Sequence, residues 1–506
     1  MRAGLEIAKM ATKFLKSLND VLVATAFVGF LFVPSAFPVN PIPTVVAPVV
    51  PQAVSPGSGA FMLEVYGANF VPGTVVNWNG SPRSTMFVSR REVKAKILAS
   101  DVTQPTTGQI TVSNPGPGGG NSSSSYAVVE VHTPDPTVVP APPYNYQLKF
   151  DGIYSLVAGD FYSHSKLDLL AGGGSGNVYL LEGDGDGTFG RSLVVGREYF
   201  VSYCDWPTSI AVGDFNNDGK LDFVFSAGVQ TSGIQVRLNS GNGSFQTSWR
   251  YGKYDGCPNL AVGDFNGDGN LDFASVIGNA MDIFLGNGDG TFRKGHSYSF
   301  PDVYLSPLVA DFNGDGVLDL VVDGDAGLQI LLGNGDGTFQ KPRTVVKPPA
   351  GKAFDCGYGQ SLIVSDFDND GKTDLAACFV SMTPPYQSPG IVVLLGNGDG
   401  TFKKPVYYHA GYPAGSKGGI WAFTVGDFNS DGKTDFIDWY FKDWPHGYTF
   451  AILKGNGDGT FQQQTTVKLP GDVGDIGIVP GDFTSDGLLD FIMQPEAGGL
   501  LSYTQE

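Results

Sequence analysis

The residues best placed to do chemistry in this 506-residue chain are aspartates at a recurring spacing. The segment VGDFNNDGKLDFVF carries Asp214, Asn216, Asp218 and Asp222, with Gly219 directly after the third. Numbered from its first Asp, the loop offers side-chain oxygens at positions 1, 3, 5 and 9 and a glycine at position 6. Five further copies keep this form: Asp264, Asn266, Asp268 and Asp272; Asp311, Asn313, Asp315 and Asp319; Asp366, Asp368, Asp370 and Asp374; Asp427, Asn429, Asp431 and Asp435; Asp482, Thr484, Asp486 and Asp490. Position 7 is Lys220, Asn270, Val317, Lys372, Lys433 or Leu488, so only its backbone carbonyl is common to all copies. Oxygen ligands at 1, 3 and 5, a carbonyl at 7 and a sharp turn at Gly 6 describe a loop wrapped around Ca²⁺. Without a cation, three carboxylates in nine residues repel strongly. The pattern predicts about six structural Ca²⁺ sites, each stapling two strands.

The loops are not EF-hands. Those need a bidentate Glu at position 12 between two helices. Here position 12 is Phe225, Ser275, Val322, Ala377, Asp438 or Met493, and the flanks alternate as strands do. Magnesium prefers few carboxylates and several waters, so calcium fits better. A seventh copy, Asp160, Tyr162, His164, Ser165 and Asp168, lacks the middle oxygens and the glycine. It predicts no metal, with Tyr162 and His164 packing across the gap.

These loops need strands to position them. The first Asp of each copy recurs at intervals of about 50 residues from Asp160 to Asp482, and the sequence between carries only β signals. Each repeat reads as a strand (IAVGDF), the acidic loop, a second strand (LDFVFS), a variable connection, a third strand (IQVRLN), a Gly-rich turn and a fourth strand. Seven such units over residues 144–506 predict a seven-bladed β-propeller with calcium-binding loops. The last repeat ends at GLLSYTQE, one strand short, and YNYQLKF (Tyr144–Phe150) can supply the missing strand and close the ring. The LGNGDGTF turns lack a following helix and a Lys-Ser/Thr pair, so they read as hairpins, not phosphate loops.

Residues 55–132 alternate in short strands with turn signals such as Asn79–Gly80, the pattern of a small immunoglobulin-like β-sandwich. Pro-rich stretches at 37–54 and 133–143 read as linkers, which makes the sandwich a stalk whose stability is independent of the metal loops. Residues 1–36 combine basic positions with the apolar run Val21–Val33 and small residues at Ser35 and Ala36, a secretory signal. An uncleaved anchor is the alternative, and the only route to a membrane. The expected location is secreted or cell-surface, and the expected state a monomer.

YGANFVPGTVVNWNG (Tyr66–Gly80) resembles the IPT/TIG family, a sandwich used as a spacer or adhesion unit. The acidic repeats resemble the FG-GAP/VCBS family, which includes the propeller heads of integrin α chains. That resemblance implies calcium loops on one face of the ring and ligands met on the other.

A net charge of −19 disfavours nucleic acid and anionic membrane surfaces. Of the acids, 42 are Asp and 8 are Glu, a bias of turns and oxygen-ligand loops over helices. No HExxH, GxSxG or Walker motif is present, so no catalytic residue is assigned. The face opposite the calcium loops should carry aromatic connections, above all DWYFKDWPHGY (Asp438–Tyr448). Trp439, Trp444, His446 and Tyr448, read as a second-to-third-strand loop, with Tyr386 and Trp421 beside it, form the candidate ligand site. The expected function is an extracellular binding or adhesion module for a carbohydrate or protein ligand. A lyase- or dehydratase-type carbohydrate-active enzyme and a purely structural surface component are the alternatives. Cys204, Cys257, Cys356 and Cys378 suit an oxidising compartment, with 204–257 and 356–378 the expected disulfides.

Overall fold

In Phe61–Ala68 and Glu92–Ile97 every second residue is apolar, and Leu63, Val65, Val93, Ala95 and Ile97 are completely buried. They face Val76, Trp78, Ile110, Val112, Val129 and Val131 from a second sheet, and the two sheets share one core. In this computed structural model the described residues are 40–45, 49–122, 127–133, 144–147, 153–164, 166–173, 177–197, 209–226, 233–252, 258–277, 279–300, 307–323, 327–354, 362–381, 390–409, 420–443, 446–462, 465–468, 478–493 and 499–504. All belong to one compact unit, Asn40–Glu506, separate from Met1–Val39. Their one helical element is the short 3-10 turn Ala99–Val102.

The expected linker over 37–54 gives way to strands from residue 44. Thr44–Val45 pairs with Gly67–Ala68, and Ala53–Val54 runs parallel to Glu130–Val131. Both are outermost strands of the sandwich, where proline is tolerated because one backbone edge needs no partner. Val49 between them is fully buried. The described part of this Pro/Val-rich stretch, 40–45 and 49–54, is sandwich, not tether.

Downstream, the described strands form seven sheets in sequence, the blades of a propeller. Blade two shows the order: Ile210–Gly213, Asp222–Ser226, Ile234–Asn239 and Phe245–Tyr251, each antiparallel to the next. The first strands of successive blades neighbour one another in a closed cycle. Second strands such as DFVFS (Asp222–Ser226) and DLVV (Asp319–Val322) are buried at every residue, because neighbouring blades cover both faces. Blade seven is completed by Tyr144–Gln147, which pairs with Gly499–Tyr503 in the register Tyr144↔Ser502 to Gln147↔Gly499. A ring closed in this way leaves no open sheet edge at its seam.

The candidate ligand segment departs from expectation. Asp435–Asp443 and His446–Leu453 form one long hairpin that pairs Trp439 with Phe450, Phe441 with Tyr448 and Asp443 with His446. Trp439, His446 and Tyr448 therefore lie in strands, not in a loop. The β-branched and aromatic residues of WYF and YTF sustain pairing well beyond the usual blade length.

Candidate metal loops and the module that covers them

The acidic loops join first to second strands, and each is organised by its own aspartates. The first Asp takes backbone N–H groups of positions 5 and 6: Asp214 from Asp218 (3.0 Å) and Gly219 (2.7 Å), Asp366 from Asp370 (3.0 Å) and Gly371 (2.8 Å), Asp427 from Asp431 (2.9 Å) and Gly432 (2.6 Å). Asp264, Asp311 and Asp482 accept the same glycine N–H in their loops. Position 6 has φ between +77° and +97° in all six, a conformation only glycine adopts cheaply.

The ninth Asp is fully buried in every blade. Asp222 accepts N–H groups from Phe215 (2.9 Å) and Asn239 (2.7 Å), bolting loop start to third strand, and Asp272, Asp319 and Asp374 repeat this. Blade one, with its degenerate motif, keeps the bolt: Asp168 accepts from Phe161 (2.8 Å), Tyr162 (3.1 Å) and Gly183 (2.9 Å). The ninth position thus has a structural role that needs no metal.

In blade five, carboxylate oxygens of Asp366, Asp368 and Asp374 all lie within 4.8 Å of one another, close enough to share one ion. Asp368 Oδ1 is buried without a hydrogen-bond partner. Burial pushes Asp374 up to about 8 and Asp366 up to about 6, and the neighbouring carboxylates add to both. The same causes raise Asp435 to about 8 and Asp222, Asp319 and Asp427 to about 7. Burial and mutual repulsion favour the neutral form of these carboxyls, and a hard divalent ion among them would favour the ionised form; in blade five Lys403 Nζ, 2.8 Å from Asp368 Oδ2, supplies part of the counter-charge. The fifth Asp stands apart from the blade-five group and meets the position-7 lysine instead. Asp218 lies 2.9 Å from Lys220 Nζ, Asp370 2.5 Å from Lys372 Nζ and Asp431 3.7 Å from Lys433 Nζ.

In blade one, His164 bridges the gap: Nδ1 lies 3.2 Å from Asp160 and Nε2 3.4 Å from Asp168. Its ring packs on Tyr162 at 5.7 Å. The three ligand atoms also converge within 4.8 Å, so Asp160, His164 and Asp168 are a second group able to hold an ion.

The Gly-rich turns lie at the same end of the ring and rivet blade to blade. Gly290 N–H donates to Phe215 O (3.0 Å), Gly337 to Phe265 O (3.0 Å), Gly400 to Phe312 O (2.9 Å), Gly459 to Phe367 O (3.0 Å), and Gly187 to Phe483 O (2.9 Å) across the seam.

The sandwich sits on this face, which corrects the picture of an independent stalk. Ile42 N–H donates to Asp264 Oδ2 (2.9 Å), and Asn69 Nδ2 to Asp264 O (3.3 Å). Asn69 N–H reaches Gly316 O (3.0 Å), and the Arg91 guanidinium donates to Gly371 O. Gln52 Nε2 reaches Thr434 Oγ1 (3.3 Å), and Thr107 Oγ1 donates to Asp482. Five successive loops, three to seven, are touched. Ile42 also enters the apolar core of blades two and three, and Ala68 that of blades three and four. Sequence reasoning missed these contacts because nothing local marks them. Glu130 is the exception: a lone acid in VVEV (Val128–Val131), and a buried one. Beneath the sandwich, Val45, Gln52, Thr107, Gln109, Val128 and Glu130 cap a cavity of about 410 Å³ walled by first strands of the ring.

Of the candidate ligand residues, Tyr386 and Trp444 lie outside the described residues, as do the side chains of Trp421, Trp439, His446 and Tyr448. Trp421 belongs to strand Ile420–Gly426. Cys378 is buried and disulfide-bonded. Cys204, Cys257 and Cys356 lie outside the described residues.

The FG-GAP-like repeat family profile matches six times, at residues 160–225, 224–275, 264–322, 311–377, 366–437 and 445–493. Four of them, those starting at 160, 264, 311 and 366, run from the first Asp of one acidic loop into the next blade. No curated protein matches the chain significantly. Among solved structures, a lectin of Agrocybe aegerita, described by its recognition of non-reducing terminal N-acetylglucosamine, is 17% identical, with 84% of this chain and 100% of that one covered at a TM-score of 0.46. An auxiliary nutrient binding protein of Bacteroides ovatus is 12% identical, with 93% and 100% covered and a TM-score of 0.39. A putative phosphatase of Bacteroides thetaiotaomicron is 12% identical, with 92% and 97% covered and a TM-score of 0.34.

Proposed function

Because the chain belongs to the FG-GAP-like repeat family, we propose that it is an exported, calcium-stapled seven-bladed propeller that acts as a binding or adhesion module for an extracellular carbohydrate or protein. The observation that carries this reading is the placement of the sandwich. It sits on five of the seven loops, three to seven, so most of that face is committed to internal contacts. The antiparallel strand order sends the second-to-third and fourth-to-first connections to the opposite end of the ring. The aromatic-rich segments of the sequence fall in those connections and in the strands that lead to them, with Trp439, Trp444, His446, Tyr448, Tyr386 and Trp421 as the proposed contact residues. Aromatic faces stack on sugar rings and anchor peptides without needing charge.

Calcium belongs to loops two to seven in this proposal, six sites with structural roles. The sandwich is of the IPT/TIG type and serves as the ring's cap. The disulfide at Cys378 suits the oxidising compartment that export would supply. Catalysis is not part of the proposal, since no nucleophile, zinc or phosphate-loop motif supports it. The expected form is a monomer without affinity for nucleic acid.

The test is a glycan array probed with the full chain in calcium, repeated with Trp444→Ala. A specific glycan lost on the substitution, with the melt unchanged, supports the reading. A ligand retained by Trp444→Ala moves the site elsewhere. If no glycan binds, the same pair of proteins applied to immobilised extracellular-matrix proteins tests the protein-ligand arm.

A further inference from the structure

The strand Val128–Val131 carries one carboxylate, and the fold aims it at the ring. Glu130 is 2% exposed. Its backbone is held between Thr107 and Ala53 of neighbouring strands, and its N–H donates to Gln52 O (2.8 Å). Oε2 accepts a hydrogen bond from Ser430 Oγ. Oε1 is buried and has no partner. The charged groups acting on it are all acids: Asp427 and Asp435, positions 1 and 9 of loop six, and Asp482 of loop seven. Glu130, Asp427 and Asp482 line the same capped cavity.

Desolvated carboxylates that act on one another without a counter-charge are unfavourable. Loop six is where that charge is met. Ser430 is its fourth residue, between ligand positions 3 and 5, and its left-handed backbone (φ 54°) turns the hydroxyl to Glu130. Gln52, next to Glu130 in the sandwich, reaches Thr434 Oγ1 and Gly432 O of the same loop. Two neighbouring sandwich residues, Gln52 and Glu130, thus grip one metal loop, and Glu130 brings an oxygen with no protein donor.

We propose that Glu130 joins the shell of the loop-six cation through one bridging water, so that the sandwich completes a metal centre the ring only begins. The class of ligand is a hard divalent cation, Ca²⁺ by its all-oxygen donors. The inference rests on the reading of loop six as a calcium site. Occupancy of that site then clamps sandwich to ring.

Calcium titrations of the full chain by calorimetry, with bound metal counted by plasma mass spectrometry, test this in wild type, Glu130→Gln, Gln52→Ala and Asp427→Asn. Glu130→Gln should weaken one site about 10–100-fold, the range for a lost shell partner of a metal, and leave the others unchanged. Gln52→Ala, which removes neutral docking contacts, should titrate as wild type. Amide exchange across Val128–Val131 should slow on adding calcium in wild type but not in Glu130→Gln. A Glu130→Gln protein that titrates as wild type overturns the proposal. So does an equal loss in Gln52→Ala, which would reduce Glu130 to a docking contact. Should Glu130→Gln fail to fold, Ser430→Ala, which unpins Oε2, should show a smaller loss at one site, and wild-type affinity there overturns the proposal. If Asp427→Asn loses no ion, loop six is not a calcium site and both readings fall together; if it loses one while Glu130→Gln does not, only the role of Glu130 falls.

Discussion

Asp168→Ala separates the two roles that the acidic motif combines. Asp168 is completely buried and accepts three backbone N–H groups, from Phe161, Tyr162 and Gly183, while the rest of the blade-one motif is degenerate. Removing the carboxylate strands three buried donors at about 1–3 kcal/mol each. Partial relaxation and entry of a water recover some of this, so the net loss should be about 3–5 kcal/mol, the range for breaking a buried charged partner. Because the bolt needs no metal, the loss should be the same in calcium and in chelator. Asp272→Ala strands only two donors, from Phe265 and Gly286, but sits in an intact loop. In chelator it should cost somewhat less than Asp168→Ala, for two stranded donors in place of three, and in calcium it should cost more than in chelator, because the metal's contribution to that loop is lost as well. Urea unfolding followed by tryptophan fluorescence, run for both variants in both buffers, gives the four values. A loss below about 1 kcal/mol for Asp168→Ala would show that the bolt is dispensable. A loss that disappears in chelator would instead make Asp160, His164 and Asp168 a metal centre.

Chelation should lower the melting midpoint of the whole unit, sandwich included, since each site saturated a hundredfold above its Kd adds about 2.7 kcal/mol; a sandwich that melts unchanged in calorimetry refutes the docking argument. Gly219→Ala and Gly487→Ala place a side chain at φ +83° and +97°, but only the second meets backbone, Thr106 at 2.6 Å. The first should cost about 1–2 kcal/mol from the left-handed backbone alone, whereas the second should cost more and release the sandwich, seen as faster amide exchange in Thr106–Asn114. Loss of Tyr144–Gln147 by truncation exposes the edge of Gly499–Tyr503, and size-exclusion chromatography should then show association that the intact ring does not.

The ring was legible because each blade repeats its own punctuation. The acidic loop, the mostly apolar second strand and the Gly-rich turn recur in the same order from blade to blade, so DFVFS and DLVV declared themselves as strands. Even the seam followed from counting strands in the last repeat, where GLLSYTQE stops one short. The seat of the sandwich was not legible, since it depends on pairs such as Ile42 with Asp264 and Thr107 with Asp482, hundreds of residues apart. Residues 40–54 misled because proline suggests a tether wherever it clusters, yet edge strands accept it. The second use of the ninth Asp was hidden for another reason. A carboxylate that binds calcium and one that accepts N–H groups look alike in sequence, and only the degenerate blade one separates them.

The seam also sets the order in which the molecule can be made. Tyr144 and Ser502 pair across roughly 360 residues, and closing such a loop costs about 5 kcal/mol of chain entropy beyond a length-independent constant. No earlier blade can repay that, so the first strand of the ring to leave the ribosome must wait, unpaired, for the last. The sandwich waits as well, since its footholds on loops three to seven arrive only as those blades form. Assembly therefore ends with two late events at opposite ends of the chain, the zipping of blade seven and the seating of the cap. Such long-range pairing predicts slow folding. If the chain is exported, a concentration of calcium that is scarce before export and abundant after it would set when both events take place.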